Sequence, residues 1–174
     1  KGLAQYDLGF LKESLEAFDH VLAAEPRKDR IWNAKGNVHY RLEQFAEAAE
    51  AYEHALVINP KLPEAWRNKG ICASKVGNKS EALRALDQYL KLEPQDAPIW
   101  FERGAILADL KNLKAALTSL NKAIELDPMM ERAHLQKGLI MERGGMRTEA
   151  LKSFDRVIEL DDDNMEAWEH KEAI

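Results

Sequence analysis

The chain has 174 residues, with 25 basic and 30 acidic side chains and a net charge of -5. Apolar residues at 45% and charged residues at 32% describe a globular chain and exclude a disordered one. No apolar run approaches the roughly 18 residues of a membrane-spanning helix, and the acidic balance excludes the strongly basic face that nucleic acid requires.

In chain order, residues 1–28 hold the end of a repeating unit, marked by Gly2, Ser14 and Pro26. Residues 29–62 form the first whole unit. Ile31, Trp32, Val38 and Leu42 recur at helical spacing, and so do Phe45, Ala48, Ala49, Tyr52, Ala55 and Leu56, which predicts two amphipathic helices, A and B. In residues 63–96, Pro63 suits the first position of a helix, Gly77-Asn78 is a turn dipeptide, and Asn78 and Glu81 have capping-box spacing. Residues 97–130 place Pro98 in a first turn and repeat the pattern with Trp100, Gly104, Ala116 and Pro128. In residues 131–164, His134 stands where tryptophan stands elsewhere, Gly144-Gly145 marks a turn, and Asp161, Asp162, Asp163 and Asn164 replace the closing proline. Residues 165–174, with Trp168, begin one more A helix.

The period is 34 residues throughout. It is kept by Trp32, Trp66 and Trp100, by Gly36, Gly70, Gly104 and Gly138, and by Pro60, Pro94 and Pro128. Numbering slots within a unit so that Trp32 is slot 4, this pattern of Trp, Gly, Ala, Tyr and Pro, as in Trp32, Gly36, Ala48, Tyr52 and Pro60, resembles the tetratricopeptide repeat along the whole chain. The resemblance implies an all-α, right-handed superhelical α-solenoid of antiparallel helix pairs. Eleven helices are expected, the first and last partial, in a single domain spanning 1–174. Glycine at slot 8 and a small residue at slot 20 let A and B approach closely, while the slot-4 ring fills the gap between layers. In repeat three, Ala73 and Tyr89 are expected to exchange volume, small for large, within the helix pair.

Chemistry of other kinds is missing. There is no phosphate-cradling glycine loop and no HExxH. His20 and His54 share slot 26 on the outer face and read as a solvated pair. The Asp161–Asn164 run lacks the glycine and distal glutamate of a calcium loop and reads as a cap and linker. Cys72, the single cysteine, excludes an internal disulfide and reads as a buried structural thiol in a reducing compartment, the cytoplasm. No nucleophile, base and orienter can be assembled. The chain is read as non-catalytic, without cofactor or metal. It opens mid-pattern at Lys1 with no methionine and no visible leader, and reads as a piece of a longer protein.

Slot 7 carries Lys1, Lys35, Lys69, Arg103, Lys137 and Lys171 where the family has leucine. Two readings stay open: long stems covering the surface between layers while the charges reach water, or a cationic ladder for an acidic partner.

The resemblance places the binding surface on the concave face, lined by helix A at slots 2, 5, 6, 9, 12 and 13. The candidate groove residues are Asn33, Asn37, Tyr40, Arg67, Asn68, Ile71, Phe101, Ala105, Arg132, Leu135, Gln136 and Leu139. In repeats two to five these slots hold six basic and four acidic residues, opposite in sign to the whole chain. The family's two-carboxylate clamp for chaperone tails is not reproduced. One register gives Asn33, Asn37, Asn68, Pro98 and Glu102 without the three cations; the next puts Glu102 where a carboxylate must bind.

A scaffold holding a protein or peptide segment in this groove is therefore the leading expectation, with an apolar anchor and a nearby acidic residue in the segment. Two alternatives stand beside it: weak self-association through the exposed apolar ends of the solenoid, and a substrate-selecting repeat region of a larger enzyme.

Overall fold

The computed structural model describes residues 2–174, with side chains from residue 9 onward. Ten helices are present among the described residues, with no strand. They fall into two compact units, Lys1–Pro94 and Gln95–Ile174.

The first unit contains α1 (Gly2–Ala24), α2 (Asp29–Arg41), α3 (Phe45–Ile58), α4 (Pro63–Lys75) and α5 (Lys79–Leu92). Each helix packs on the next in sequence. The second unit contains α6 (Ala97–Asp109), α7 (Leu113–Leu126), α8 (Glu131–Arg143), α9 (Arg147–Leu160) and α10 (Met165–Ala173), packed in the same sequential way, with α8 also touching α6. The helix pairs follow the 34-residue period, so both units are stacks of A and B helices.

The count is ten and not the expected eleven. The slot that turns the chain between A and B in the other repeats falls on Gly9 in repeat one, yet the backbone there stays helical. Residues 1–8 supply only the last slots of an A helix. α1 therefore joins what the period divides into an A end and a B helix, running unbroken from Gly2 to Ala24.

Close helix approach has a specific partner. A Cβ built on Gly36 would lie 2.6 Å from Tyr52 Cε1, one on Gly70 2.6 Å from Leu86 Cδ2, and one on Gly138 2.6 Å from Phe154 Cε1. Slot 8 is thus the socket for the large slot-24 side chain of helix B. At Gly104 the nearest atom, on Leu120, is 3.0 Å away, which leaves more room. Slot 20 is fully buried in every described whole repeat, at Ala48, Ala82, Ala116 and Ala150. Ala73 and Tyr89 are both buried.

Turns between A and B share one conformation. Glu43, Gly77, Lys111 and Gly145, all at slot 15, have φ of 57°, 82°, 60° and 75°. Asparagines and an aspartate then cap the next helix: Asn78, Asp96, Asn112 and Asn164 each accept a hydrogen bond from a first-turn amide. Asn78 makes half of the expected capping box, because the Glu81 carboxylate turns away to Lys69 and Arg84. Asn164, the end of the acidic run, caps α10, and Asp161 accepts from the Asp163 amide at 3.2 Å. None of the described helices is long and apolar enough to cross a membrane.

Candidate functional site

Of the slot-4 rings, Trp32, Trp66 and Trp100 are half-buried and Trp168 is exposed. Their edge and face are both used. The indole N–H of Trp32 donates to the Pro26 carbonyl at 2.9 Å, that of Trp66 to Pro60 at 2.9 Å, and that of Trp168 to Asp162 at 3.0 Å. The slot-7 cation one turn on covers the ring face in four repeats: Lys35, Lys69, Arg103 and Lys171 lie 5.1–5.7 Å from the ring centroids. His54 stacks on Trp32 at 4.3 Å, which gives this slot-26 histidine a packing role.

Carboxylates hold the slot-7 cations from below. Lys35 pairs with Asp19 at 2.5 Å and Lys171 with Asp155 at 2.7 Å. Lys69 bridges Glu53 and Glu81. Its side chain is only 10% exposed, so its charge does not reach water as the stem-covering reading required. Burial works to lower the Lys69 pKa, but its hydrogen bonds to Glu53 and Glu81 outweigh burial and leave it raised. The same hydrogen bond to Lys69 holds Glu81 below the usual carboxylate range. Arg103 bonds Ser119 at 2.6 Å. The stripe is therefore an internal charge lattice between successive helices. Its first rung, Lys1, lies outside the described residues. The sequence held the signal for the lattice, since Asp19, Glu53 and Asp155 each stand sixteen residues before a slot-7 lysine.

Cys72 is fully buried, and burial pushes its thiol up to about 11. A neutral thiol with no access is a packing group. No group of three or more His, Cys, Asp or Glu suited to a metal occurs among the described residues.

In the first unit, α2 carries Asn33, Asn37 and Tyr40, and α4 carries Arg67, Asn68 and Ile71. The structure joins two of these. Asn37 Oδ1 accepts from the Tyr52 hydroxyl at 2.7 Å and from the Asn68 amide at 3.2 Å, which ties successive A helices together. Asn33 Oδ1, one turn before Asn37, is buried and has no hydrogen-bond partner among the described residues. Tyr40 packs edge-on against Phe45 at 5.5 Å. Arg67 is exposed and Ile71 half-buried.

The second unit carries Phe101 and Ala105 on α6 and Arg132, Leu135, Gln136 and Leu139 on α8. The Arg132 guanidinium lies over the Phe101 ring, 4.4 Å from its centroid. Phe101 is half-buried and Arg132 exposed. Leu135 and Leu139 lean on the core formed by Ala150, Phe154, Val157 and Ala167, so part of their surface is already spent.

A helix pair repeated every 34 residues, with a glycine socket and a capped slot-4 ring, defines an α-helical repeat protein. Tetratricopeptide repeat profiles match residues 1–63, 35–99, 97–129 and 132–164, and the chain belongs to that family. Among solved structures it is similar to MamA from Desulfovibrio magneticus RS-1, with 22% identity and a TM-score of 0.80 over 94% of this chain and 93% of that one. YrrB, described as a TPR protein with an unusual peptide-binding site, is 24% identical with a TM-score of 0.86, over 96% and 86% of the two chains. The first TPR of Spaghetti (RPAP3), bound to the HSP90 peptide SRMEEVD, is 23% identical with a TM-score of 0.60, over 64% and 88%. At such identities the likeness shows the fold. No curated protein sequence matches the chain.

Proposed function

We propose that the chain is a non-catalytic scaffold whose A helices hold an extended protein or peptide segment. One observation carries this reading. On a slot that the family uses for ligands, Asn33 presents a buried acceptor with no partner among the described residues, beside the paired amides of Asn37 and Asn68. An unpaired buried acceptor costs about 1–3 kcal/mol, and turning the Asn33 amide toward the groove would let the N–H of a bound segment satisfy it. The RPAP3 and YrrB structures, described with a bound peptide and a peptide-binding site, support the same use of the fold.

In the second unit the Arg132 guanidinium is held over the Phe101 ring, which leaves an exposed cation beside an apolar face for a carboxylate-bearing ligand. A ligand with an acidic residue and an apolar contact fits there. An acidic chaperone tail does not fit the set as a whole, since Pro98 and Glu102 stand at clamp positions.

The test is a displayed random-peptide library selected on the immobilised chain, with the recovered peptides titrated by calorimetry. Asn33→Ala and Phe101→Ala should each weaken binding about tenfold or more. Glu50→Ala, an exposed change on α3, should leave it unchanged. A library with no saturable binder, or binders indifferent to both groove substitutions, counts against the reading.

A further inference from the structure

Repeat five breaks the lattice in two places at once. Its slot 4 holds His134 in place of tryptophan, so the slot-7 cation Lys137 has no indole face to lie on. The residue sixteen before Lys137 is Asn121, where Lys35, Lys69 and Lys171 each find a carboxylate. Beside the smaller ring an open pocket of about 260 Å³ lies between α8 and α9. That is several times the roughly 30 Å³ share of one water molecule.

The cavity wall is cationic. His134 and Lys137 line it from α8, and Lys152 and Arg156 line it from α9 with Glu149. Among the described residues neither Lys137 nor Lys152 makes an ion pair, whereas Arg156 shares its guanidinium with Glu159 at 2.8 Å. Glu149 occupies the slot from which Glu81 reaches Lys69, and is the one carboxylate in the wall. Three permanent cations against Glu149 and the Glu159 that pairs with Arg156 leave one positive charge, and a proton on His134 brings the surplus to two, which matches a dianion. His134 Nε2 donates to the Pro128 carbonyl at 3.1 Å, so this ring takes over the edge contact of the tryptophans while its Nδ1 stays free to accept a proton.

We infer that this cavity is a binding site for a phosphoryl group, carried either by a small phosphate or by a phosphorylated side chain of another protein. It uses slots 4, 7, 19, 22 and 26, none of which belongs to the A-helix groove, so it stands independently of the peptide-binding reading. Burial, opposed by the hydrogen bond to Pro128 and reinforced by the charges of Arg156 and Lys137, holds His134 below the ordinary histidine range, with Asp127 pulling the other way. A dianion among these groups would favour the imidazolium and reverse that shift.

The experiment follows the His134 ring resonances by NMR while inorganic phosphate, phenyl phosphate, and a phosphoserine peptide with its unphosphorylated counterpart are added in separate titrations at constant ionic strength. Saturable shifts are expected, with the His134 titration moved upward by the ligand. If inorganic phosphate matches the phosphopeptide, the ligand is a small phosphate; if the phosphopeptide binds more tightly and its unphosphorylated form is silent, the ligand is a modified protein. Two variants restore the repeat pattern and so keep the fold. His134→Trp fills the cavity and Asn121→Asp supplies the missing carboxylate; each should weaken binding about tenfold or more. Glu149→Gln should strengthen it. The inference is overturned if no probe gives a saturable shift in the parent protein, or if binding survives both pattern-restoring variants unchanged. The Asn121→Asp titration is followed on His134 and that of His134→Trp on the new indole resonance.

Discussion

The contact between slots 8 and 24 sets how much each glycine matters. At Gly36 the obstructing atoms belong to the Tyr52 ring, which is 1% exposed and tied through its hydroxyl to Asn37. Gly36→Ala should therefore destabilise by up to about 2 kcal/mol, the overpacking cost of about 1–3 kcal/mol less the roughly 1 kcal/mol that alanine gains in a helix. Gly104→Ala meets Leu120 at 3.0 Å, and the two effects should nearly cancel. Urea denaturation midpoints of the two variants check the order. Lys69 makes a second residue-scale case. Glu81 has its pKa lowered in the folded state, so its contribution is present above the ordinary glutamate range and is lost as pH falls through the folded value. Glu81→Gln should cost about 1–2 kcal/mol at neutral pH, and the difference from the parent should vanish in acid when stability is measured across pH.

At the scale of the element, every described A–B turn passes through a left-handed residue at slot 15, whether or not it is glycine. Gly77→Ala should cost about 1 kcal/mol, because an L-residue pays about 1–2 kcal/mol in that region and regains part of it through the unfolded chain. Glu43→Gly, which exchanges strain for flexibility, should change the thermal midpoint far less. This scale also shows what the sequence could say. Gly77-Asn78 and Gly144-Gly145 were legible as turns, but Glu43 and Lys111 carry no turn chemistry of their own; only the period places them at the same bend. The helix count erred at Gly9 for a related reason: a glycine allows a turn but does not require one, and here the backbone stays helical. The helix pairs, the glycine socket and the buried Cys72 followed from periodicity. The slot-7 stripe did not resolve, because a lysine on a helix reads alike whether it meets water or a carboxylate sixteen residues away. Nor could spacing show that Asn37 is paired while Asn33 Oδ1 is not, since that depends on which amide reaches across the layer.

For the whole molecule, the tetratricopeptide repeats convert sequence period into a row of equivalent slots, and the proposed sites lie in particular slots of that row. Asn33, Phe101 and Arg132 occupy slots of the A helices that vary from repeat to repeat, whereas His134 departs from the tryptophan of slot 4. The most direct measurement of the proposed role is an NMR footprint of a library-selected peptide on the isotope-labelled chain. Saturable shifts should concentrate at Asn33, Asn37 and Asn68 in the first unit or at Phe101, Arg132 and Gln136 in the second, with the exposed slots of α3 and α9 silent. A peptide that binds saturably and perturbs only the B helices would contradict the A-helix site.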